Sequence, residues 1–366
     1  MEQGPIRMKY TIKQPDQYLL PETILNKYGC YRISRYIEIH ESGDVSICCF
    51  SWLPKFFGNV LRDNPEQILE NVNRLSLIND MDHGKFTECN DQCPYINTIL
   101  NGKYIPGYIV PLPLLPKAKH DNPIVINFSY DRSCNLLCPS CRNQLILHGL
   151  HENNKLTLIH DKVKALVAYL LDNGEKLILN ITGSGDPFAS PTYWNYIKGL
   201  EYNSNLSLKL MTNGILMTES KWNEIDHLWN SITQINISLD AATIDTYAVV
   251  RKNGSLDKVK KNLEVLNELV KNGKFKNLKQ FQTNFTVQHN NYKEVIEFAK
   301  WQLQYSHLNS IYFNLVVQWN HISDLDFQDI FELTVEEKKE LSKLLKDPIF
   351  DNPKFNLGNL HSIKNL

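Results

Sequence analysis

The chain has 366 residues, enough to bury a large core and to hold more than one compact region, and its 42% hydrophobic and 22% charged residues are ordinary for a globular protein. Lysine and arginine (39) nearly balance aspartate and glutamate (40), which excludes a general electrostatic affinity for nucleic acid or an anionic membrane surface. No apolar run is long enough to span a bilayer and MEQGPIRMKY lacks a signal-peptide core, so a cytoplasmic protein with neither nucleic-acid nor membrane partners is expected.

Residues 1–120 read as a small cysteine-rich module with two short strand-like pieces, RYIEIHES and DVSICCF. It closes in IPGYIVPLPLLPKAKHDNP, whose prolines lack N–H donors and resist a helix, so an extended linker is expected there. Over 121–320 apolar runs alternate with amphipathic helices. Six strands are predicted at 124–130, 177–183, 206–212, 234–240, 282–288 and 311–317. The helical segments KLTLIHDKVKALVAYLLDNG and SLDKVKKNLEVLNELVKNG have apolar residues spaced by three and four, and each stops at Asn-Gly. Repeated strand–helix–strand units with right-handed crossovers give a parallel sheet curling toward a barrel, and six strands make it partial. The fold class is therefore α/β, a partial (β/α)6 TIM-like barrel behind a cysteine-rich N-terminal module. Residues 321–366 read as a mixed tail with one helix, LTVEEKKELSKLLK.

The eight cysteines all lie between Cys30 and Cys141, a clustering that points to metal ligation rather than a disulfide framework. Cys134, Cys138 and Cys141 stand in SYDRSCNLLCPSCRNQ with three and then two residues between them, directly after the first strand. Parallel β/α folds carry their functional loops at that end of the strands. Three thiolates on an iron–sulfur cluster leave one iron open to a ligand, whereas four would close it. A structural zinc is the competing reading, but it wants a fourth Cys or His, and His148 is not part of an obvious pair. After the second strand comes Gly183-Ser184-Gly185-Asp186, where glycine permits close backbone approach and a carboxylate can accept from an ammonium group; the alternative is a tight turn. Asn213 after the third strand, and Ser238 and Asp240 after the fourth, can meet ligand hydroxyls or cap the next helix. Arg251 can clamp a carboxylate with two N–H groups, or lie solvated at a helix end.

The Cys-x3-Cys-x2-Cys loop resembles the signature of the radical S-adenosylmethionine (radical SAM) enzymes. The resemblance extends in order through the glycine segment, the strand ends and the Arg251 region, to about Trp319. It implies a 4Fe–4S cluster on Cys134, Cys138 and Cys141 whose open iron chelates SAM. It further implies a segment at Gly183–Asp186 that receives the SAM amino group, ribose contacts at Asn213, Ser238 and Asp240, and a SAM-carboxylate contact at Arg251. The sequence departs from the family at Ser140, where an aromatic residue is common, and at Ser184 and Asp186, where the family has Gly and Glu. Adenine contacts are therefore expected elsewhere, from backbone near Val287 and Gln288.

Cys30, Gly43, Cys48, Gly58-Asn59-Val60, Cys89 and Cys93 resemble the auxiliary-cluster modules called SPASM and twitch. Such modules usually follow the barrel; here it precedes it. The resemblance implies a second 4Fe–4S cluster on Cys30, Cys48, Cys89 and Cys93, with zinc as the competing occupant. Cys49 is left over, as a spare ligand, a hydrogen-atom donor or a buried thiol. The activity implied is that of an oxidoreductase or maturase that abstracts hydrogen from a substrate. A peptide is the first expectation, for oxidation, crosslinking or epimerisation. A sugar, aminocyclitol or nucleotide is the second, and a non-catalytic metal scaffold the third. A reductase such as flavodoxin or ferredoxin is the implied electron donor.

Overall fold

A computed structural model describes residues 22–90, 93–102, 107–149, 153–316 and 331–366. Val317 at the end of the sixth predicted strand, and Trp319, lie outside these ranges. The described residues through Ile126, with Asp161–Lys176, form one compact unit, and Asn127–His160 with the described residues from Leu177 onward form another.

In the first unit, β1 (Tyr28–Cys30) and β2 (Tyr36–His40) are followed by β3 (Val45–Ser46), which pairs antiparallel with β2. The connecting turn places Gly43 at φ +87°, a conformation that favours glycine. β4 (Ile109–Pro111) pairs antiparallel with β1 and sets Cys30 opposite Ile109. The expected extended linker is corrected here: a helix forms over Leu115–Asp121. Its proline, Pro116, sits in the first turn, where no intrahelical N–H bond is lost.

The second unit is built on the end of β5 (Ile124–Ser129, of which Asn127–Ser129 belong to it), β6 (Leu177–Ile181), β7 (Leu206–Thr212), β8 (Ile232–Ser238), β9 (Gln280–Val287) and β10 (Ser310–Leu315), the strands being neighbours in that order. Each neighbouring pair from β6 to β10 is parallel, giving the barrel-type sheet that alternating strands and helices predict. A two-residue β11 (Phe355–Asn356) extends it beside β10; so short a piece has no sequence signal. The two long helices run over Asn154–Asp172 and Leu256–Lys271. Ser255 caps the second through a hydrogen bond to Lys258 N, and Gly273 just past its end has φ +71°.

Strand periodicity divides the sheet into two chemically different faces. Leu177, Leu179, Ile181, Leu208, Leu210, Ile235, Ile237, Phe285 and Phe313 are buried on one face. Helices cover that face: Phe285 and Phe313 meet Phe298 of the helix Val295–Gln302 with ring centroids 4.7 and 5.7 Å apart. The other face is largely polar, with Asn127 and Ser129 on β5, Asn180 on β6, Asn236 on β8, and Gln282 and Asn284 on β9, while β7 contributes Lys209 and Met211. Its amides bond to one another, Gln280 Nε2 to Gln282 Oε1 and Gln282 Nε2 to Asn284 Oδ1 at 2.5 Å each.

Candidate functional site

The three-cysteine loop leaves β5 through Asp131, which is fully buried. One Asp131 carboxylate oxygen accepts from Ser133 N (2.9 Å), the other from Ser190 Oγ (2.5 Å), and its own N–H donates to Tyr193 Oη (2.7 Å). Cys134 is fixed by its N–H to Ile146 O (2.8 Å), and a turn follows in which Cys138 O accepts from Cys141 N and Arg142 N. Cys134 and Cys138 are buried; Cys141 is exposed. Each sulfur meets N–H donors. Leu136 N (3.5 Å) and Asn213 Nδ2 (3.6 Å) face Cys134, Arg251 Nη1 (3.8 Å) faces Cys138, and Arg142 Nη2 (3.8 Å) faces Cys141. Burial, and then the charge of Asp186, push the Cys134 thiol up to about 11. Burial also raises Cys138, while the Arg251 guanidinium pulls the other way.

The segment after β6 is bolted to this loop. A Cβ on Gly185 would lie 2.6 Å from the carbonyl oxygens of both Asp131 and Ser133, and one on Gly183 would collide with Ser129 Oγ. Ser184 Oγ donates to Asp131 O (3.1 Å), and Arg142 Nη2 donates to Ser184 O (2.9 Å). Thr182, a β-branched residue, has φ +129°, strain of the kind that gathers at functional sites. The Asp186 carboxylate faces inward. It accepts from Thr212 Oγ1 and Asn213 N at 2.8 Å each and from Phe188 N at 3.0 Å, and burial raises its pKa against those hydrogen bonds. Its visible work is to tie the β6 loop to the β7 end.

Past β8, Asp240 adopts φ +61° and pairs with Arg251 Nη2 at 2.6 Å, both side chains largely buried. The second Asp240 oxygen accepts from Thr286 N (2.7 Å), and Asn291 Nδ2 holds its carbonyl (2.8 Å). Ser238 is half-buried one pleat below Asp240. Two bonded groups thus flank the cysteine loop: Asp186 and Asn213 with Cys134, and Asp240 and Arg251 with Cys138.

In the first unit Cys48, Cys93, Ile33, Leu53, Phe57, Met81 and Ile96 form one buried cluster, with Cys30, Cys49 and Cys89 packed against it. Gly43 N donates to His40 O and Val60 N to Gly43 O (2.8 Å each), while Asn59 Nδ2 reaches Asp44 Oδ1 (2.8 Å), so the Gly-Asn-Val segment pins the hairpin that delivers Cys48. Cys93 precedes the helix Pro94–Leu100, and its carbonyl accepts from Asn97 N. Burial, followed by the nearby Cys48, pushes Cys30 up to about 12; Cys89 is raised by burial and then by Cys30, Cys48 and Cys93. The four thiols are therefore close enough to feel one another. Among the described residues no three Cys, His, Asp or Glu side chains converge on a single ion; a multi-iron cluster spreads its thiolates more widely.

A family model described as the radical SAM superfamily matches residues 129–301, from the last residue of β5 through the helix after β9. The matched region is a radical SAM domain. A second model, SPASM, described as an iron–sulfur cluster-binding domain, matches residues 30–94. This radical SAM protein accordingly uses a 4Fe–4S cluster and SAM, and its SPASM module adds an auxiliary iron–sulfur cluster. GTP 3′,8-cyclase from two strains of Clostridium perfringens, SM101 and 13, is 29% identical over 140 residues, covering 38% of this chain and 41% of each relative. The chain therefore matches well under half of those relatives' length. Among solved structures, TYW1 with a lysine-pyruvate adduct bound aligns over 60% of this chain and 70% of its own, at 19% identity and TM-score 0.37.

The residues present fit the groups that the family brings. Arg251 Nε, Tyr247 Oη and Gln288 Nε2 are buried polar atoms without a hydrogen-bond partner, all near the Asp240 turn. They are the kind of orphan that a polar ligand satisfies. Arg142 was not singled out by sequence reasoning, although it joins Cys141, Arg132 O (2.7 Å) and Ser184 O. Its only signal is adjacency to the third cysteine. Asn135, which accepts from Asn213 Nδ2 (3.0 Å), was likewise missed.

Proposed function

We propose that this radical SAM enzyme removes a hydrogen atom from a small, hydrogen-bonding substrate seated against the polar face of the sheet. The observation that carries the reading is that face itself, where amide and hydroxyl side chains replace the apolar filling common inside barrels of this type. Buried Asn236 Oδ1 and Asn180 Oδ1 are left without donors there, as a ligand's N–H or O–H groups would require. When bound, the cluster and SAM supply reductive cleavage to a 5′-deoxyadenosyl radical, with the electron drawn from a flavodoxin- or ferredoxin-type reductase.

The protein's part is to hold and orient. Cys134, Cys138 and Cys141 hold the cluster, and N–H groups of Asn213, Arg251 and Arg142 temper the charge on their sulfurs. Gly183, Ser184 and Gly185 present backbone to the SAM amino group, with Asp186 positioning them. Asn213, Ser238 and Asp240 border the ribose, and Arg251 serves the SAM carboxylate. Cys30, Cys48, Cys89 and Cys93 hold the auxiliary cluster. In this reading 1–120 is the auxiliary module, 121–320 the catalytic barrel and 321–366 a tail.

A nucleotide is one member of the proposed substrate class, supported by the partial match to a GTP cyclase. Peptide oxidation, crosslinking or epimerisation is the second reading, favoured by the SPASM module. Anaerobically reconstituted enzyme with dithionite and SAM should release 5′-deoxyadenosine faster with GTP or a nucleotide sugar than with a blocked peptide. Stimulation by the peptide alone would reverse the order of the two readings, and no 5′-deoxyadenosine under any condition would remove both.

A further inference from the structure

The auxiliary cysteines share their surroundings with one cation, Arg32. Its guanidinium carbon stands 3.7 Å from the ring centroid of Tyr36, 4.6 Å from that of Tyr108 and 5.8 Å from that of Trp52. Three aromatic rings hold it in place and keep water from it. Its Nε is buried without a hydrogen-bond partner, and among the described residues no carboxylate pairs with it. It stands beside the thiols: Arg32 follows Cys30 by two residues, and Trp52, one of the rings around it, packs against the buried cluster that contains Cys48 and Cys93.

A half-buried guanidinium without a counter-anion is costly unless a negative group completes its surroundings. Four thiolates around a 4Fe–4S core carry net negative charge, and reduction adds one more. We infer that Arg32 is the built-in counter-charge of the auxiliary cluster: caged by Tyr36, Trp52 and Tyr108, it raises that cluster's reduction potential and favours its reduced form. This rests on the auxiliary-cluster reading of Cys30, Cys48, Cys89 and Cys93. Arg32 is a positioning residue, acting through the cluster and not on substrate. Net charge and hydrogen bonds to sulfur are two of the main levers on such potentials.

The test uses the full chain with Cys134/Cys138/Cys141→Ala, reconstituted anaerobically, so that the auxiliary cluster gives the only signal. Iron and sulfide are counted, and the midpoint potential is read by electron paramagnetic resonance during a dithionite titration. Arg32→Met should keep its iron and fall at least tenfold in the reduction equilibrium, about 59 mV for one electron. Arg32→Lys, which keeps the charge but not the fork, should recover part of that shift. If Arg32→Met instead loses iron while its apoprotein melts as before and Arg32→Lys reloads, the counter-charge role also stands. An unchanged potential at full iron content overturns the inference. So does loss of the apoprotein fold in both variants, which would make Arg32 a packing residue. A parent chain with no cluster at all overturns the underlying ligand assignment as well, and its iron count separates that failure from the others.

Discussion

The two cysteine sets of this chain sit in opposite environments. Around Cys30, Cys48, Cys89 and Cys93 the neighbours are mainly aliphatic and aromatic, and one caged arginine supplies the positive charge. Around Cys134, Cys138 and Cys141 the neighbours are backbone carbonyls, amides and two guanidiniums, and the third thiol is exposed. Apolar packing suits a cluster sealed from solvent that only passes electrons. A polar rim with exposed sulfur suits one that must admit a ligand. The number of thiolates and their surroundings point the same way at each site.

The largest effect separates the sets outright. Cys134/Cys138/Cys141→Ala should cut iron from about eight to about four per chain and abolish 5′-deoxyadenosine formation. Cys30/Cys48/Cys89/Cys93→Ala should also leave about four, but on the SAM-binding side. Iron falling from about four to none in the first variant would show that the second site holds no cluster.

Next comes the polar rim. Arg251→Met strands the buried Asp240 carboxylate, which should cost about 3–5 kcal/mol in apoprotein unfolding by urea. A change below about 1 kcal/mol would mean that solvent reaches the pair. Gly185→Ala drives a Cβ into two carbonyls of the cysteine loop. A shift of the loop by about 1 Å should lower the rate of SAM cleavage about 100-fold while iron content holds.

The smallest effect is in pH. Folded Cys134 and Cys30 thiols are raised to about 11 and about 12 from an ordinary 9.0, so the unfolded chain ionises first. Apoprotein stability from these thiols is thus flat below the ordinary thiol range and lost as pH rises through 9 toward the folded values. Because loading requires thiolates, iron uptake should quicken from pH 7 to 8.5 at both sites. An uptake rate flat over that range would mean that thiol ionisation does not limit loading.

Much of this was legible in residue order. The alternation in LSLKLMT placed β7 at its observed limits, and Asn-Gly marked the end of Leu256–Lys271. The cysteine spacing pointed to the loop after β5, next to where the radical SAM match begins. Less legible was anything depending on a proline's place in its turn, as in Leu115–Asp121, or on a side chain reaching back from a neighbouring residue, as Arg142 does. Arg32 gave no signal because Tyr36, Trp52 and Tyr108 converge on it only after folding. The inward turn of Asp186 was also hidden, since a carboxylate after Gly-Ser-Gly serves a ligand or a loop with the same residues.

From β5 to β10 the strands lie side by side in the order in which they are synthesised. Each new strand can add to an edge already made, so few early contacts must wait for distant sequence. The thiols, the glycine segment, Asn213, Asp240 and Arg251 all precede β9, and the Asp240 turn needs only Thr286 and Asn291 beyond it. The reactive end of the barrel can therefore take shape on a nascent chain while β10 and β11 are still within the ribosome.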